Sequence, residues 1–315
     1  MSIIIPHKNA TESVEKLLRS IESEISNSEV FVVDDNSEEK EQIILNEMIK
    51  RYNSWQNNFY FLLENKGEFA GGARNTALKL LTSEWVLFAD ADDYFVEGWY
   101  REVSNFYESQ SDMIIFPPTS FNSSAQAIGK RHMPYERILH PSSLKKRNGM
   151  EQVRMCMYPP WSKMIKVDLL HENKILFDEV LASNDILFSI KAGLKAKEIE
   201  VCENTIYCVT EGENTLVSTP SVEKLKSRIE VCKRVNEFLK ENYPNYFKKY
   251  QFSAWGWYKV AVDENFTFTE KKELLEKITE VNLPLFPMLR KKFGMTRLKA
   301  KLIYTSDKIK NFHNN

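Results

Sequence analysis

The chain is expected to fold as an α/β domain with a mainly parallel sheet flanked by helices, followed by a helical C-terminal region. Three observations predict this. Short β-branched or aromatic runs alternate with helically spaced apolar residues over the first 116 positions. Three of those runs end in clusters of polar side chains, and the sequence changes character at about residue 117 and again at about 220.

The first run, 2–6, ends at Pro6, His7, Lys8 and Asn9, and Val14, Leu17, Leu18, Ile21 and Ile25 then recur three and four apart, as on one helix face. The second run, 29–33, leads into Asp34, Asp35, Asn36 and Ser37, a polar turn in which Asn36 or Ser37 is placed to cap the next helix. A third run, 59–63, precedes Glu64-Asn65-Lys66-Gly67-Glu68-Phe69-Ala70-Gly71-Gly72-Ala73-Arg74-Asn75. Here a glycine-rich turn opening a helix lets the backbone approach a ligand, with Arg74 in the first turn to meet an anion.

The fourth run, 85–89, ends in Asp90, Ala91, Asp92 and Asp93; Trp99, Val103, Phe106 and Tyr107 form another helical stripe, and 112–116 is the fifth run. Strands alternating with helices imply right-handed crossovers, and ligands of such sheets gather at the strands' C-terminal ends. Three adjacent aspartates raise one another's pKa values unless a cation or strong donors hold them ionised. The cluster therefore reads as half of a metal site, whose other half would be phosphate oxygens, since Mg²⁺-like ions favour that combination.

Beyond Phe116, the polar stretch to Gly149 carries Lys130, Arg131, Arg137, Lys145, Lys146 and Arg147 against a single acid, Glu136, and reads as a mobile basic loop or a solvated surface one. From about 220 onward the pattern is helical. Residues 290–310 are basic with interleaved apolar positions, the pattern of a helix lying on an anionic membrane surface or of one packed on the domain with a solvated basic face.

With 315 residues, 43% hydrophobic and 28% charged, the chain is long enough for about two domains, or one large α/β domain with an appendage. Its net charge of -1 excludes a general attraction to nucleic acid. Four cysteines without C-x-x-C spacing and five histidines without H-E-x-x-H argue against zinc and thiol chemistry and fit reduced thiols in the cytoplasm. The strand-like start leaves no room for a signal peptide, and no apolar run approaches the roughly 18 to 20 residues of a membrane span.

The order of these motifs resembles the family 2 glycosyltransferases with the GT-A fold. The matching pieces are Ile3-Ile4-Ile5-Pro6 with Asn9, Val32-Val33-Asp34-Asp35-Asn36-Ser37, Glu64-Asn65-Lys66-Gly67 with Ala73-Arg74-Asn75, and Asp90-Ala91-Asp92-Asp93. Farther on come Trp161-Ser162-Lys163, Ile175-Leu176-Phe177-Asp178-Glu179 and Asn184-Asp185-Ile186-Leu187-Phe188. The resemblance covers residues 1–215. It implies a nucleotide-sugar half at 1–116, an acceptor half at 117–215 and a separate helical region at 216–315.

On this resemblance the donor is a UDP-sugar and the acceptor a saccharide or lipid-linked hydroxyl in cell-surface polysaccharide synthesis, with the enzyme cytoplasmic or at the inner face of the plasma membrane. Pro6, Asn9, Asp35, Gly67, Arg74, Asn75, Asp90, Ala91 and Asp92 would bind the donor. Asp92, with Asp93 and Asp90, would hold Mn²⁺ or Mg²⁺. Trp161, Lys163 and Asn184 would face the acceptor, and Asp185 would be the general base of an inverting transfer, its structural alternative being a helix N-cap with Ser183.

Three departures stand out. Asn184 replaces the family's usual glutamate, His7 and Lys8 replace a small residue and a tyrosine, and the segment Ile206-Tyr207-Cys208-Val209 lacks an arginine often found there. A phosphohydrolase or nucleotidyltransferase using Asp90 and Asp92, or a non-catalytic nucleotide-sugar-binding protein, is the competing reading. The sequence carries no signal for oligomeric state.

Overall fold

The computed structural model describes residues 1–24, 28–55, 57–212 and 220–286. By compactness the chain divides into two units, Met1–Val180 with Asn184–Ser218, and Leu181–Ser183 with Thr219–Asn315.

In the first unit, β1 (Ser2–His7), α1 (Thr11–Glu22), β2 (Glu29–Asp34), α2 (Glu39–Ser54), β3 (Phe59–Glu64), α3 (Phe69–Leu78) and β4 (Trp85–Phe88) alternate as the sequence pattern predicts. They are followed by β5 (Tyr94–Phe95), α4 (Trp99–Ser104), β6 (Met113–Ile115), β7 (Thr119–Asn122), β8 (Ala127–Ile128), α5 (Met133–Leu139), α6 (Pro141–Leu144) and α7 (Gly149–Cys156). The unit ends with β9 (Lys163–Lys166), α8 (Val167–Glu172), α9 (Ile186–Lys195), β10 (Ile199–Val201) and β11 (Tyr207–Glu211).

Seven strands form one sheet in the order β10-β6-β9-β4-β1-β2-β3, parallel throughout except for β9, which runs antiparallel to β4 and β6. Both faces are covered, so successive residues of one strand enter different cores: Ile3 and Ile5 join one apolar cluster and Ile4 the other, and Val32 and Val33 divide the same way. From β1 the chain builds outward through β2 to β3, then returns to β4 on β1's other side. That reversal leaves a crevice at the C-terminal ends of β1 and β4. Pro6 fits there because β4 pairs β1 only as far as Ile4, so no ladder donor is missing at position 6.

The stripe Val14, Leu17, Leu18 and Ile21 is fully buried on α1, while Ile25 lies outside the described residues. Helix α4 ends at Ser104, short of Phe106 and Tyr107. The chain continues in turns closed by Phe106 N–H to Val103 O and Tyr107 N–H to Ser104 O, which still bring both rings against the core. The capping expected of Asn36 or Ser37 is not found: Glu38 occupies the N-cap of α2, without a side-chain cap bond.

The stretch expected as a basic loop is instead structured, carrying β7, β8, α5, α6 and α7. Strand β7 exists because it pairs in parallel with β11, some ninety residues later, in a second sheet of order β5-β11-β7-β8. Such a distant partner leaves little trace in local periodicity.

The glycine segment also differs from expectation. Gly71 and Gly72 lie inside α3, and Arg74 sits in its second turn. A Cβ on Gly71 would come within 2.0 Å of the Asp178 carbonyl oxygen, and one on Gly67 within 2.4 Å of the Glu179 carboxylate. These glycines make room for the chain's own 178–179 segment.

The second unit is helical: α10 (Val222–Asn242), α11 (Pro244–Tyr250), α12 (Trp255–Asp263) and α13 (Phe268–Glu280). Leu225, Ile229, Cys232, Ala261, Leu274 and Ile278 form its core. Ser221 caps α10, and Thr267 with Glu270 forms a reciprocal capping box on α13. The basic tail at 290–310 lies outside the described residues, among which no helix is long and apolar enough to cross a membrane.

Gly71→Ala is expected to destabilise the protein by about 1–3 kcal/mol, since backbone would have to move. Gly256→Ala in the exposed second position of α12, where an added Cβ meets nothing within 4 Å, should be neutral or stabilising by up to about 1 kcal/mol. Denaturant midpoints of the two variants test the contrast.

Candidate active site

The crevice between β1 and β4 is held together by Arg74. Its side chain is nearly buried, so the charge must find partners. Nη2 donates to Asp90 Oδ1 at 2.5 Å and Nη1 to Asn184 Oδ1 at 3.0 Å, while the guanidinium lies 5.2 Å from the centre of the Phe177 ring. One side chain thus brings together motifs at the end of β4 and the start of α9.

Asn75, next along α3, is buried and holds Phe177 as a strand partner would. Its Nδ2 donates to Phe177 O at 3.0 Å, and its Oδ1 accepts from Phe177 N–H at 2.9 Å. Glu179 closes the arrangement by accepting from Glu68 N–H at 3.1 Å.

The acidic turn after β4 brings ligand atoms of Asp90, Asp92 and Asp93 within 4.8 Å of one another. Burial, and then the Asp90 charge, push the Asp92 carboxyl above its ordinary value. Asp93 is raised further, by burial and then by Asp92 and Asp90. A hard oxygen-donor set under this mutual repulsion suits a divalent cation of the Mg²⁺ or Mn²⁺ type.

The three acids are not equivalent. Asp93 is almost fully buried and both its oxygens accept hydrogen bonds, Oδ2 from the Tyr207 hydroxyl at 3.0 Å and Oδ1 from Thr210 N–H at 2.7 Å. Asp90 gives one oxygen to Arg74, whereas Asp92 remains the freest to face a ligand.

The sequence reading missed Tyr207. Its fully buried hydroxyl also accepts from Asp90 N–H at 2.8 Å, so one phenol fastens both ends of the acidic turn. Burial, then Asp93 and Asp90, raise its pKa, which keeps the proton it donates. The signal was a tyrosine inside an apolar strand, where a buried hydroxyl must find a partner. Trp161 stacks on Tyr207 at 5.7 Å between ring centres and meets Tyr135 edge-on at 5.5 Å; it lies in the core.

Just beyond β2, Asp35 is nearly buried; Asn65 Nδ2 donates to its Oδ1 at 2.6 Å, and Lys8 Nζ lies 3.6 Å from Oδ2. Asn9, in left-handed backbone, accepts Glu38 N–H on Oδ1 at 2.8 Å and donates its own N–H to Ser37 Oγ at 2.9 Å. Beneath them His7 Nδ1 is 3.0 Å from Asp34 Oδ1, and His7 Nε2 accepts from Ala10 N–H at 3.2 Å. His7 therefore braces the end of β1 from below.

Asp185 occupies the N-cap position of α9, yet its side chain makes no capping bond. Burial raises its carboxyl, and Arg74 is the largest opposing influence, with Lys163 also opposing. Lys163 is itself buried in the core, donating to Met157 O and, at 3.1 Å, to Ser189 Oγ one turn into α9. Burial lowers its pKa to about 7, with Asp185 working against that fall.

A family model described as "Glycosyl transferase family 2" matches residues 2–173. The chain is 29% identical over 213 residues to the Staphylococcus aureus poly(ribitol-phosphate) beta-N-acetylglucosaminyltransferase TarS, covering 65% of this chain and 34% of TarS. It is 29% identical over 218 residues to a Bacillus spizizenii poly(ribitol-phosphate) beta-glucosyltransferase, covering 66% of this chain and 31% of that protein. It thus spans about a third of the length of these curated relatives. In fold it resembles S. aureus TarS 1-349 solved in complex with UDP-GlcNAc, with a TM-score of 0.64 at 21% identity over 89% of this chain and 80% of that one.

Tyr207→Phe keeps the ring packing but leaves Asp90 N–H and Asp93 Oδ2 without a partner, and should cost about 1–3 kcal/mol, read as a lowered denaturation midpoint. Lys163 carries a folded pKa below its unfolded value of roughly 10.4, so the unfolded chain binds more protons between those limits and stability should rise as pH goes from about 7 toward 10. Lys163→Met should flatten that rise in denaturation curves taken across the range.

Proposed function

Since the chain belongs to glycosyl transferase family 2 and has the GT-A fold, we propose that it is an inverting glycosyltransferase. It moves a sugar from a UDP-sugar to a hydroxyl of a saccharide or glycolipid acceptor in the making of a cell-surface polymer. The observation that carries this reading is Arg74, whose two arms join the acidic turn at Asp90 to the Asn184-Asp185 pair. Leaving-group and acceptor machinery must lie on opposite sides of one sugar, and this side chain spans the residues assigned to each.

In this reading Asp35 with Asn65 faces the uracil edge, Pro6 and Asn9 border the nucleoside, and the backbone at Gly67 and Ala91 lines the donor cleft. Asn75 holds the wall at Phe177 against which Arg74 lies. Asp92, assisted by Asp90 and Asp93, would hold a divalent cation, which when bound neutralises charge gathering on the diphosphate.

The Asp185 carboxylate takes the proton of the acceptor hydroxyl as that oxygen bonds to C1. The C1–oxygen bond to the diphosphate breaks and its electron pair leaves with UDP. A carboxyl raised by burial and unused as a cap suits this task. Lys163 supports the acceptor side from the core through Ser189, whereas Trp161 packs on Tyr207 behind the acidic turn. Asn184 belongs to the same end, with its amide oxygen on Arg74.

A thermal-shift panel of UDP-, GDP- and dTDP-sugars, with and without Mn²⁺, should give a raised melting temperature with UDP-sugars that is larger with the metal. Asp92→Ala should remove the metal-dependent part. Asp185→Asn should keep the UDP shift and lower transfer to acceptors, poly(ribitol phosphate) among them, by about 10²–10⁴-fold. Undiminished transfer by Asp185→Asn would overturn the base assignment, and no shift with any nucleotide would overturn the proposal.

A further inference from the structure

The segment before α5 is pinned in a way the site described above does not use. Glu211, the last residue of β11, accepts backbone N–H groups from Lys130 and Arg131 on the same oxygen, Oε1, each at 2.6 Å. Gly129 is buried against that carboxylate, where an added Cβ would lie 2.2 Å from Oε1. The next residue, His132, is fixed through Nδ1 to Ser120 Oγ on β7 at 2.7 Å. Three consecutive residues, 130–132, are thus held by side chains of the small sheet, while Gly129 N–H donates to the Ser120 carbonyl oxygen at 2.8 Å.

This anchoring has a direction. Glu211 follows Thr210, whose N–H donates to Asp93, so the backbone of Arg131 is linked to the acidic turn through two residues of β11. Arg131 is half-buried and forms no ion pair among the described residues. A half-buried arginine whose backbone is tied through Glu211 and Thr210 to Asp93, and whose guanidinium has no ion-pair partner among the described residues, is placed to meet an anion at the acidic turn.

We infer that Arg131 is a further catalytic residue, whose guanidinium contacts the diphosphate of the donor while Glu211 acts as its positioning residue. The inference rests on the glycosyltransferase reading. As the C1–oxygen bond breaks, the electron pair moves onto the diphosphate and its charge grows; Arg131 stabilises that charge without gaining or losing a proton. It enters from the small sheet, whereas Arg74 enters from α3.

The test is calorimetric binding of UDP and of uridine, each with Mn²⁺, alongside the rate of UDP release from UDP-GlcNAc and UDP-glucose. Arg131→Gln should weaken UDP about 10–100-fold, leave uridine unchanged and slow UDP release about 100-fold, with Arg131→Lys recovering part of the loss. Glu211→Ala should weaken UDP less, and its effect should vanish when combined with Arg131→Gln, which a purely structural role would not produce. A folded Arg131→Gln protein that binds and releases UDP as the wild type does overturns this inference alone. A wild-type chain that binds no UDP overturns the glycosyltransferase reading and this inference with it.

Discussion

The burial of Arg74 is the constraint on which the rest of the crevice depends. A guanidinium cannot be removed from water without anionic or strongly polar partners. Here those partners are Asp90 and Asn184, 16 and 110 residues away along the chain. To bring Arg74 to that point, α3 must press against residues 177–179, which is why Gly71 has no side chain and why Asn75 binds Phe177 through both amide atoms. The two asparagines, the glycine and the phenylalanine are thus parts of one mount.

The acidic turn is braced from its other side by β11. Tyr207 fastens the turn's first backbone N–H and its last carboxylate, and Thr210 holds the remaining oxygen of that carboxylate. This fixes Asp93 as an anchor and leaves Asp92 as the acid that can move toward a ligand. The geometry separates two tasks that three adjacent aspartates would otherwise share. Trp161 stacked on Tyr207 extends the brace into β9's approach.

Much of the large sheet was legible because its strands are buried on both faces and therefore read as unbroken apolar runs, with chemistry confined to their ends. That logic placed Asp35 and the acidic turn at strand ends, and the structure brings Arg74 against the acidic turn and against Asn184, the neighbour of Asp185. The logic failed where a residue's setting depends on a distant strand. Strand β7 needs β11, Tyr207 needs the turn at Asp90, and Gly71 faces the chain's own carbonyl, not a ligand. Lys163 illustrates the same limit: by type it belongs at a surface facing an acceptor, and only the packing of Met157 and Ser189 around its ammonium reveals a buried strut under α9.

The asparagine at position 184 changes the electrostatics of the pair it shares with Asp185. A carboxylate there would compete with Asp90 for the Arg74 guanidinium and would place a second full charge beside Asp185, raising its pKa through like-charge repulsion. The amide accepts the same hydrogen bond from Arg74 while adding no charge. More of the guanidinium's field therefore falls on Asp185. Asp185 thus sits in an enclosed position with Arg74 as the largest influence against the rise that burial causes. In this chain the departure from an acidic pair removes a like-charge repulsion beside Asp185 and keeps the hydrogen bond to Arg74.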